Sequence, residues 1–164
     1  MKQPWRTLGW LWALPLTLFG LIYTSIFTIL GWYTNQGRHG DALVWNVNHD
    51  RMPRILQRAW RHWNGHTVGN VVIINGTVDT HRGRITLRHE QEHVRQGMVL
   101  GVFLPIFYTA AYVGLKFCAH AHPYYDNPFE IDARRAAGQV VDVIGALKRA
   151  VAEGRIKVPP RKNT

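Results

Sequence analysis

Two uncharged runs of sequence constrain this 164-residue chain more than any other feature. Residues 8–33 hold 26 consecutive uncharged residues, and residues 97–115 hold 19. About 20 apolar residues suffice for a helix to cross a bilayer, so both runs are candidate membrane segments. Aromatic side chains, which favour membrane interfaces, stand near the ends of the first run at Trp10, Trp12, Trp32 and Tyr33. We therefore expect residues 1–34 to form an N-terminal membrane anchor, in which Pro15 and Gly20 permit a kink.

The segment between the two runs contains the pattern His-Glu-x-x-His at residues 89–93. Residues four apart share one face of a helix, so His89 and His93 can bind the same metal ion. Glu90 follows His89 directly, where a general base for a metal-bound water would stand. The chain has one cysteine, Cys118, which rules out a zinc site built from cysteines. The pattern predicts a zinc site, and a solvated polar helix face is the alternative.

A catalytic zinc ion takes three protein ligands, so the third must come from another part of the chain. We expect Glu130 in this role, because Asn127 and Pro128 mark the start of a helix that can pack against the motif helix. The alternative is that Glu130 closes a capping box with Asn127, which needs no metal. Other side chains that could be the third ligand are Asp126, Asp132, His122 and His120.

The second uncharged run sets a condition on this site. If residues 97–115 crossed the bilayer completely, the two histidines and everything after Lys116 would lie on opposite sides of it. Pro105 interrupts the run, so we expect a dipping hairpin, or a helix buried against the first run, rather than a full crossing. An intramembrane protease is disfavoured because the motif helix is too polar for the bilayer interior, with charges at Arg88, Glu90, Glu92 and Arg95.

The remaining pattern predicts a mainly helical α+β domain over residues 35–154, with short antiparallel strands. Residues 35–41 are expected to be a linker, and residues 155–164 a disordered basic tail. We expect strands at residues 42–48 and 67–74, and helices at residues 53–63, 86–96 and 128–153. An extended peptide could add to the strand edge at residues 68–74.

The charge of the chain favours acidic partners. Lys and Arg number 20 against 10 Asp and Glu, a formal net charge of +10. A basic stripe at helical spacing is formed by Arg51, Arg54, Arg58 and Arg61, and it suits a helix on an anionic membrane surface or simply a solvated face. We expect a lipid bilayer and a protein or peptide substrate as partners, and no specific nucleic acid.

His-Glu-x-x-His followed by a Glu on a later helix resembles the zincin metallopeptidases in their gluzincin arrangement. The segments HEQEHVRQ and NPFEIDARRA are similar to motifs of a family of short, uncharacterised bacterial membrane-associated proteins, and the likeness extends loosely over most of residues 14–137. The resemblance implies a zincin-like domain, a location at a bacterial inner membrane and Zn²⁺ held by His89, His93 and Glu130.

One position departs from the better-known gluzincins, which often have an Asp four residues after the ligand Glu. Arg134 stands there in this chain. Asp126 or Asp132 would then have to orient a ligand histidine.

Together these features predict a membrane-anchored zinc metallopeptidase in which Glu90 is the general base. The tetrahedral oxyanion needs hydrogen-bond donors besides the metal, and we expect them at Tyr124, Tyr125 and His122. The alternative is a non-catalytic, basic protein of the membrane surface that keeps a zincin-like frame.

Overall fold

A four-stranded sheet lies at the centre of the chain in the computed structural model, which describes residues 4–60, 62–119 and 121–155. The strands are β1 (Tyr33–His39), β2 (Ala42–Val47), β3 (Gly65–Val68) and β4 (Val71–Ile74). The helices of the described residues are α1 (Pro4–Trp12), α2 (Leu14–Ile29), α3 (Arg54–Trp60), α4 (His81–Leu100), α5 (Leu104–Lys116), α6 (Pro128–Ala136) and α7 (Val143–Ala152). A 3-10 turn, Gly101–Phe103, joins α4 to α5. The expected α+β, mainly helical class is therefore confirmed.

The strand order is β1-β2-β4-β3, so β1 and β3 form the two edges of the sheet. β1 pairs with β2, and β3 with β4, in antiparallel fashion. β2 and β4 run parallel, with Trp45 opposite Ile73. The expectation of antiparallel strands is therefore wrong for the central pair. Parallel strands require a crossover connection, and here α3 and β3 form it.

Two other predictions for this part of the chain, one of a linker and one of a strand, are wrong. Residues 35–41, expected to be a linker, lie mostly in β1. Residues 67–74, expected to be one strand, turn back at Gly69 and Asn70 to form the β3–β4 hairpin. Gly69 has a φ of 60°, which favours glycine, and a Cβ there would collide with Thr17 of α2. The turn is thus fixed by its close approach to α2, which no local pattern reveals.

Alternating side chains of the strands build a core on each face of the sheet. The core beside α1 and α4 has as buried members Ala13, Ala42, Val44, Val72, Ile74, Leu87, Val94 and Met98. The core beside α2 and α3 has as buried members Tyr33, Trp45, Val47, Met52, Trp60, Val71 and Ile73. Of the two helices of the expected anchor, α2 therefore packs on the sheet and α1 packs on α4.

Helix α2 has one side on the protein and one side exposed. Its fully buried residues, Thr17, Gly20 and Thr24, are small and recur at helical spacing, and Thr17 and Gly20 lie against the β3–β4 hairpin. Its partly buried Leu21, Tyr23 and Phe27 pack on the core. The exposed side chains are Leu18 (50%), Phe19 (65%), Ile22 (63%) and Ile26 (53%). Large apolar side chains are thus left exposed along one side of α2, and small residues at helix contacts are common in membrane proteins.

The two uncharged runs are helical but broken. Within the described residues, one helical stretch, His81–Lys116, is by length and composition apolar enough to cross a membrane. Of the 18-residue segment of this stretch that is apolar enough, 11% is buried. Helices α1 and α2 pass the same test as a pair, and they meet at an angle of 62°. The second run breaks at Gly101, whose φ is 57°, whereas Pro105 lies in the first turn of α5.

The long C-terminal helix expected over residues 128–153 is two helices. The chain leaves α6 through Gly138, whose φ is 68°, and Asp142 caps α7 by accepting from the Gly145 N–H. The helix expected over residues 53–63 is the shorter α3. The basic tail beyond Arg155, together with Arg61 and His120, lies outside the described residues.

We expect Gly20→Ala to lower the thermal unfolding temperature of the detergent-solubilised protein. The new Cβ would lie 2.8 Å from the Val68 carbonyl oxygen and 2.9 Å from the Val71 Cβ. Overpacking of this kind costs about 1–3 kcal/mol, which exceeds the gain of about 1 kcal/mol in helix propensity. Ser25→Ala, at an exposed position of the same helix, is the control and should be neutral or slightly stabilising. Equal stability of the two variants would contradict the packing of α2 described above.

Candidate metal centre

Helix α4 carries the His-Glu-x-x-His motif on its buried side. Thr80 caps the helix by accepting from the Gly83 N–H, and the helix continues to Leu100. His89 and Glu90 are 9% and 5% exposed. A solvated polar face, the alternative considered from the sequence, is therefore wrong for this motif.

Helix α6 brings Glu130 to the two histidines. The Glu130 carboxylate is 3% exposed. Its Oε2 lies 3.3 Å from Nε2 of His89, and its Oε1 lies 3.3 Å from Nε2 of His93. The backbone N–H of Asn127, which a capping box would direct to Glu130, donates to the Tyr124 carbonyl instead. The capping-box alternative for Glu130 is therefore wrong, although the Asn127 side chain does cap α6.

The three side chains fit a metal ion by their chemistry. One ligand atom from each of His89, His93 and Glu130 lies within 4.8 Å of the others. Oε2 of Glu130 is buried and has no hydrogen-bond partner, which costs free energy unless something else binds it. Two imidazoles and one carboxylate are a ligand set suited to zinc and to other divalent transition metals.

Two glutamines fix the orientation of the histidine rings. Nδ1 of His89 donates to Oε1 of Gln139 at 3.0 Å, and Nδ1 of His93 donates to Oε1 of Gln96 at 2.9 Å. With the protons on Nδ1, both Nε2 lone pairs point toward Glu130. Gln96 also donates to the Phe129 carbonyl at 3.0 Å, so it ties α4 to α6.

Neither glutamine was expected from the sequence, which suggested Asp126 or Asp132 for this role. Asp132 pairs with Arg135 at an exposed position, and Asp126 accepts from the backbone N–H of His122. Gln96 lies three residues after His93 on the same helix, a spacing that could have identified it. Gln139 reaches His89 only because the chain turns after α6, and no local signal marks that turn as functional.

Tyr108 and Arg134 complete the surroundings of Glu130. The Tyr108 hydroxyl donates to Oε1 of Glu130 at 2.9 Å, and a nitrogen of Arg134 lies 3.5 Å from Oε2. Burial acts to raise the pKa of Glu130, but the neighbouring His89 and His93 outweigh it and hold the pKa well below its usual range. Glu130 is therefore an anion in this site, as a metal ligand must be.

Arg134 stands where better-known gluzincins often have Asp, and its guanidinium is enclosed. It lies 5.0 Å from the ring centroids of both Tyr124 and Tyr125, and it donates to the Tyr125 carbonyl. Cation–π contacts of this kind hold the guanidinium in place. Arg134 thus adds a fixed positive charge beside Glu130.

Glu90 lies beside the edge strand β3. Its Oε2 accepts from the Thr67 hydroxyl at 2.7 Å, and Gly65 leaves room for the carboxylate, because a Cβ there would lie 2.9 Å from Oε1. Burial raises the pKa of Glu90 above its usual range, against the opposing effects of His93 and His89. A carboxylate with a raised pKa is better suited to accept a proton near neutral pH.

A cleft of about 950 Å³ joins these groups. It is lined by the motif side chains, by β3 and by residues of α5, and Tyr124 and Tyr125 also line it. Residues 68–74, expected to offer an edge to a peptide, include β4, which is paired on both sides. The strand with a free edge along the cleft is β3. The expected site for an extended peptide therefore moves from β4 to β3. His122, the third expected oxyanion donor, accepts instead from the backbone N–H groups of Tyr124 and Tyr125.

Part of the cleft lining is aromatic. His66 of β3 stacks on Trp60, with 5.2 Å between ring centroids, and also meets Tyr23 and Trp63. Burial lowers the pKa of His66 to about 4, so the ring is neutral at physiological pH. This wall of the cleft is therefore uncharged.

Comparison of the chain with protein-family models, with curated proteins and with solved structures finds no match. The resemblance to zincins, and the membrane protein family named with it, therefore remains a prediction from the motifs.

We expect Gln96→Ala to weaken metal binding by about 10- to 100-fold, since loss of a group that orients a ligand histidine typically has this effect. Competition with a chelator of known affinity measures the change. Gln91→Ala is a matched control, because Gln91 lies on the same helix but donates to the His39 carbonyl. An unchanged affinity in Gln96→Ala, or an equal loss in both variants, would argue against the orienting role.

Proposed function

We propose that the protein is a membrane-attached, zinc-dependent peptidase. The observation that carries the proposal is the convergence of two oriented Nε2 atoms and a buried, partly unpartnered carboxylate at a cleft beside a free strand edge. Glu90, the residue expected to act as general base, lines the same cleft. This combination matches the needs of peptide hydrolysis: a Lewis acid, a base and a place for an extended chain.

Each residue has a distinct task in this proposal. His89, His93 and Glu130 would hold the zinc ion, which when bound makes water a stronger acid and polarises a carbonyl group. Glu90 takes a proton from water in the cleft and later delivers it to the leaving amine. Thr67 holds the Glu90 carboxylate in position through its hydroxyl. Tyr124, Tyr125 and Tyr108 line the cleft and would donate hydrogen bonds to the oxyanion, and Tyr108 was not foreseen from the sequence.

The membrane attachment rests on an exposed apolar face formed by α1, α2, the 3-10 turn and α5. Among its largest members are Trp5, Phe19, Ile22, Phe103, Ile106 and Phe107. The face is continuous where the two halves meet, since ring centroids are 6.2 Å apart for Trp12–Phe103 and 6.3 Å apart for Phe103–Phe107. So large an apolar surface is unfavourable in water.

Basic residues border this apolar face and suit it to anionic lipid. The Arg51 side chain lies against Gly31 just past the end of α2, and Lys116 ends α5. We propose that the face rests in one leaflet rather than crossing the bilayer. Helix α5 has 13 residues, about 20 Å, which is shorter than the roughly 30 Å hydrocarbon core. The polar part of α4 is held in the protein body by the sheet.

Zinc analysis and peptide hydrolysis test the enzyme together. We expect about one zinc per chain in the detergent-purified wild type and strong loss of zinc in His89→Ala and Glu130→Ala. Glu90→Gln should keep its zinc and lose peptide hydrolysis by about 10²-fold or more, since it removes the general base but no ligand. Liquid chromatography of a degenerate peptide mixture measures the hydrolysis.

The outcomes of this test separate the two candidate functions. Zinc binding without any hydrolysis by the wild type would favour the non-catalytic, membrane-surface protein. Hydrolysis that persists in Glu90→Gln would exclude the proposed mechanism. A zinc content in Glu130→Ala equal to that of the wild type would remove Glu130 from the ligand set.

Vesicle flotation tests the membrane attachment. At limiting lipid, we expect the double substitution Phe19→Gln and Ile22→Gln to reduce binding to phosphatidylcholine–phosphatidylglycerol vesicles by about tenfold or more, because each buried side chain contributes about 1.5–3 kcal/mol. Leu147→Gln, at an exposed position of α7, is the control and should bind as the wild type does. Equal flotation of all three proteins would contradict the assignment of α2 to the lipid.

A further inference from the structure

We propose that the substrates are polypeptides anchored in the same bilayer, cut in the segment that leaves the membrane. This inference rests on the proposed peptidase and membrane attachment and adds the substrate class. Its basis is that two of the helices that carry the apolar face, α2 and α5, also line the cleft.

Helix α5 separates the cleft from the apolar face. Leu104 and Tyr108, four residues apart and therefore on one side of the helix, line the cleft near the metal centre. Ile106 and Phe107 point away from that side and are 60% and 49% exposed. One helix is thus both a wall of the cleft and a part of the surface proposed to contact lipid.

Helix α2 also both lines the cleft, beside its aromatic residues, and carries part of the apolar face. Tyr23 lines the cleft and contacts His66 of the edge strand. The preceding Ile22 is exposed on the apolar face. Two helices that carry the apolar face therefore border the cleft, α5 near the metal centre and α2 beside His66.

The width of α5 sets the distance between the proposed lipid surface and the metal centre. A helix with its side chains is about 10–12 Å wide, and an extended chain rises about 3.3 Å per residue. A substrate leaving the hydrocarbon beside α5 would thus reach the metal centre after about three to four residues. Anchoring in the same membrane also raises the effective concentration of the substrate, which a free peptide in water does not share.

The test compares two synthetic peptide libraries with the full-length protein in phosphatidylcholine–phosphatidylglycerol vesicles. One library has a leucine–alanine helix of about 20 residues, long enough to span, followed by a randomised polar segment. The other has the same randomised segment without the helix. We expect the anchored library to be cut at least about tenfold faster, as tethering commonly gives this gain or more. Mass spectrometry should place the cuts within about six residues of the helix end.

A matched pair of variants links the preference to the apolar face. Ile106→Gln combined with Phe107→Gln should reduce the ratio of anchored to free cleavage, while Leu147→Gln should leave that ratio as in the wild type. Equal cleavage of the two libraries by the wild type, or cuts spread evenly along the randomised segment, would overturn the inference and leave the peptidase standing. Cleavage of neither library by the zinc-loaded protein would overturn the peptidase, and the inference with it.

Discussion

The approach of Glu130 to His89 and His93 is the interaction on which the candidate site depends. It joins α6 to α4, two helices that are separated along the chain by α5. Burying a carboxylate is costly, and the Tyr108 hydroxyl and the Arg134 guanidinium offset part of this cost. Removing any one partner would leave a charge or a polar atom buried and poorly satisfied, so the network behaves as a unit.

The grouping of His89, His93 and Glu130 could be predicted from the sequence because the signal for each half of the group is local. Residues four apart on a helix must share a face, and Asn127 with Pro128 marks a helix start that places Glu130 in the first turn. The groups that orient and surround the ligands depend on tertiary turns. Gln139 reaches His89 through the left-handed Gly138, and Tyr108 reaches Glu130 because α5 folds back over the centre.

In the sheet, too, features set by local sequence could be predicted, and features set by tertiary contacts could not. The strand at residues 42–48 was predicted from its alternation. The hairpin at Gly69 and the parallel pairing of β2 with β4 depend on the contact with α2 and on the crossover through α3, so they leave little local trace. The orientation of α2 had a readable signal in hindsight. Its small residues recur at helical spacing within an otherwise large-apolar run, which indicates the side that packs on protein.

The break at Gly101 has a consequence for how the protein is assembled. The chain between His93 and Glu130 leaves α4, forms α5 and returns through α6. An ion held by both residues would therefore close this loop as a cross-link does. If α5 docks against lipid as proposed, that contact and the binding of an ion would favour the same arrangement of the chain. By thermodynamic linkage each would then strengthen the other, so the ion would bind more tightly to the membrane-attached protein and the loaded protein more tightly to the membrane. A chain without the ion and away from lipid would lack both contributions.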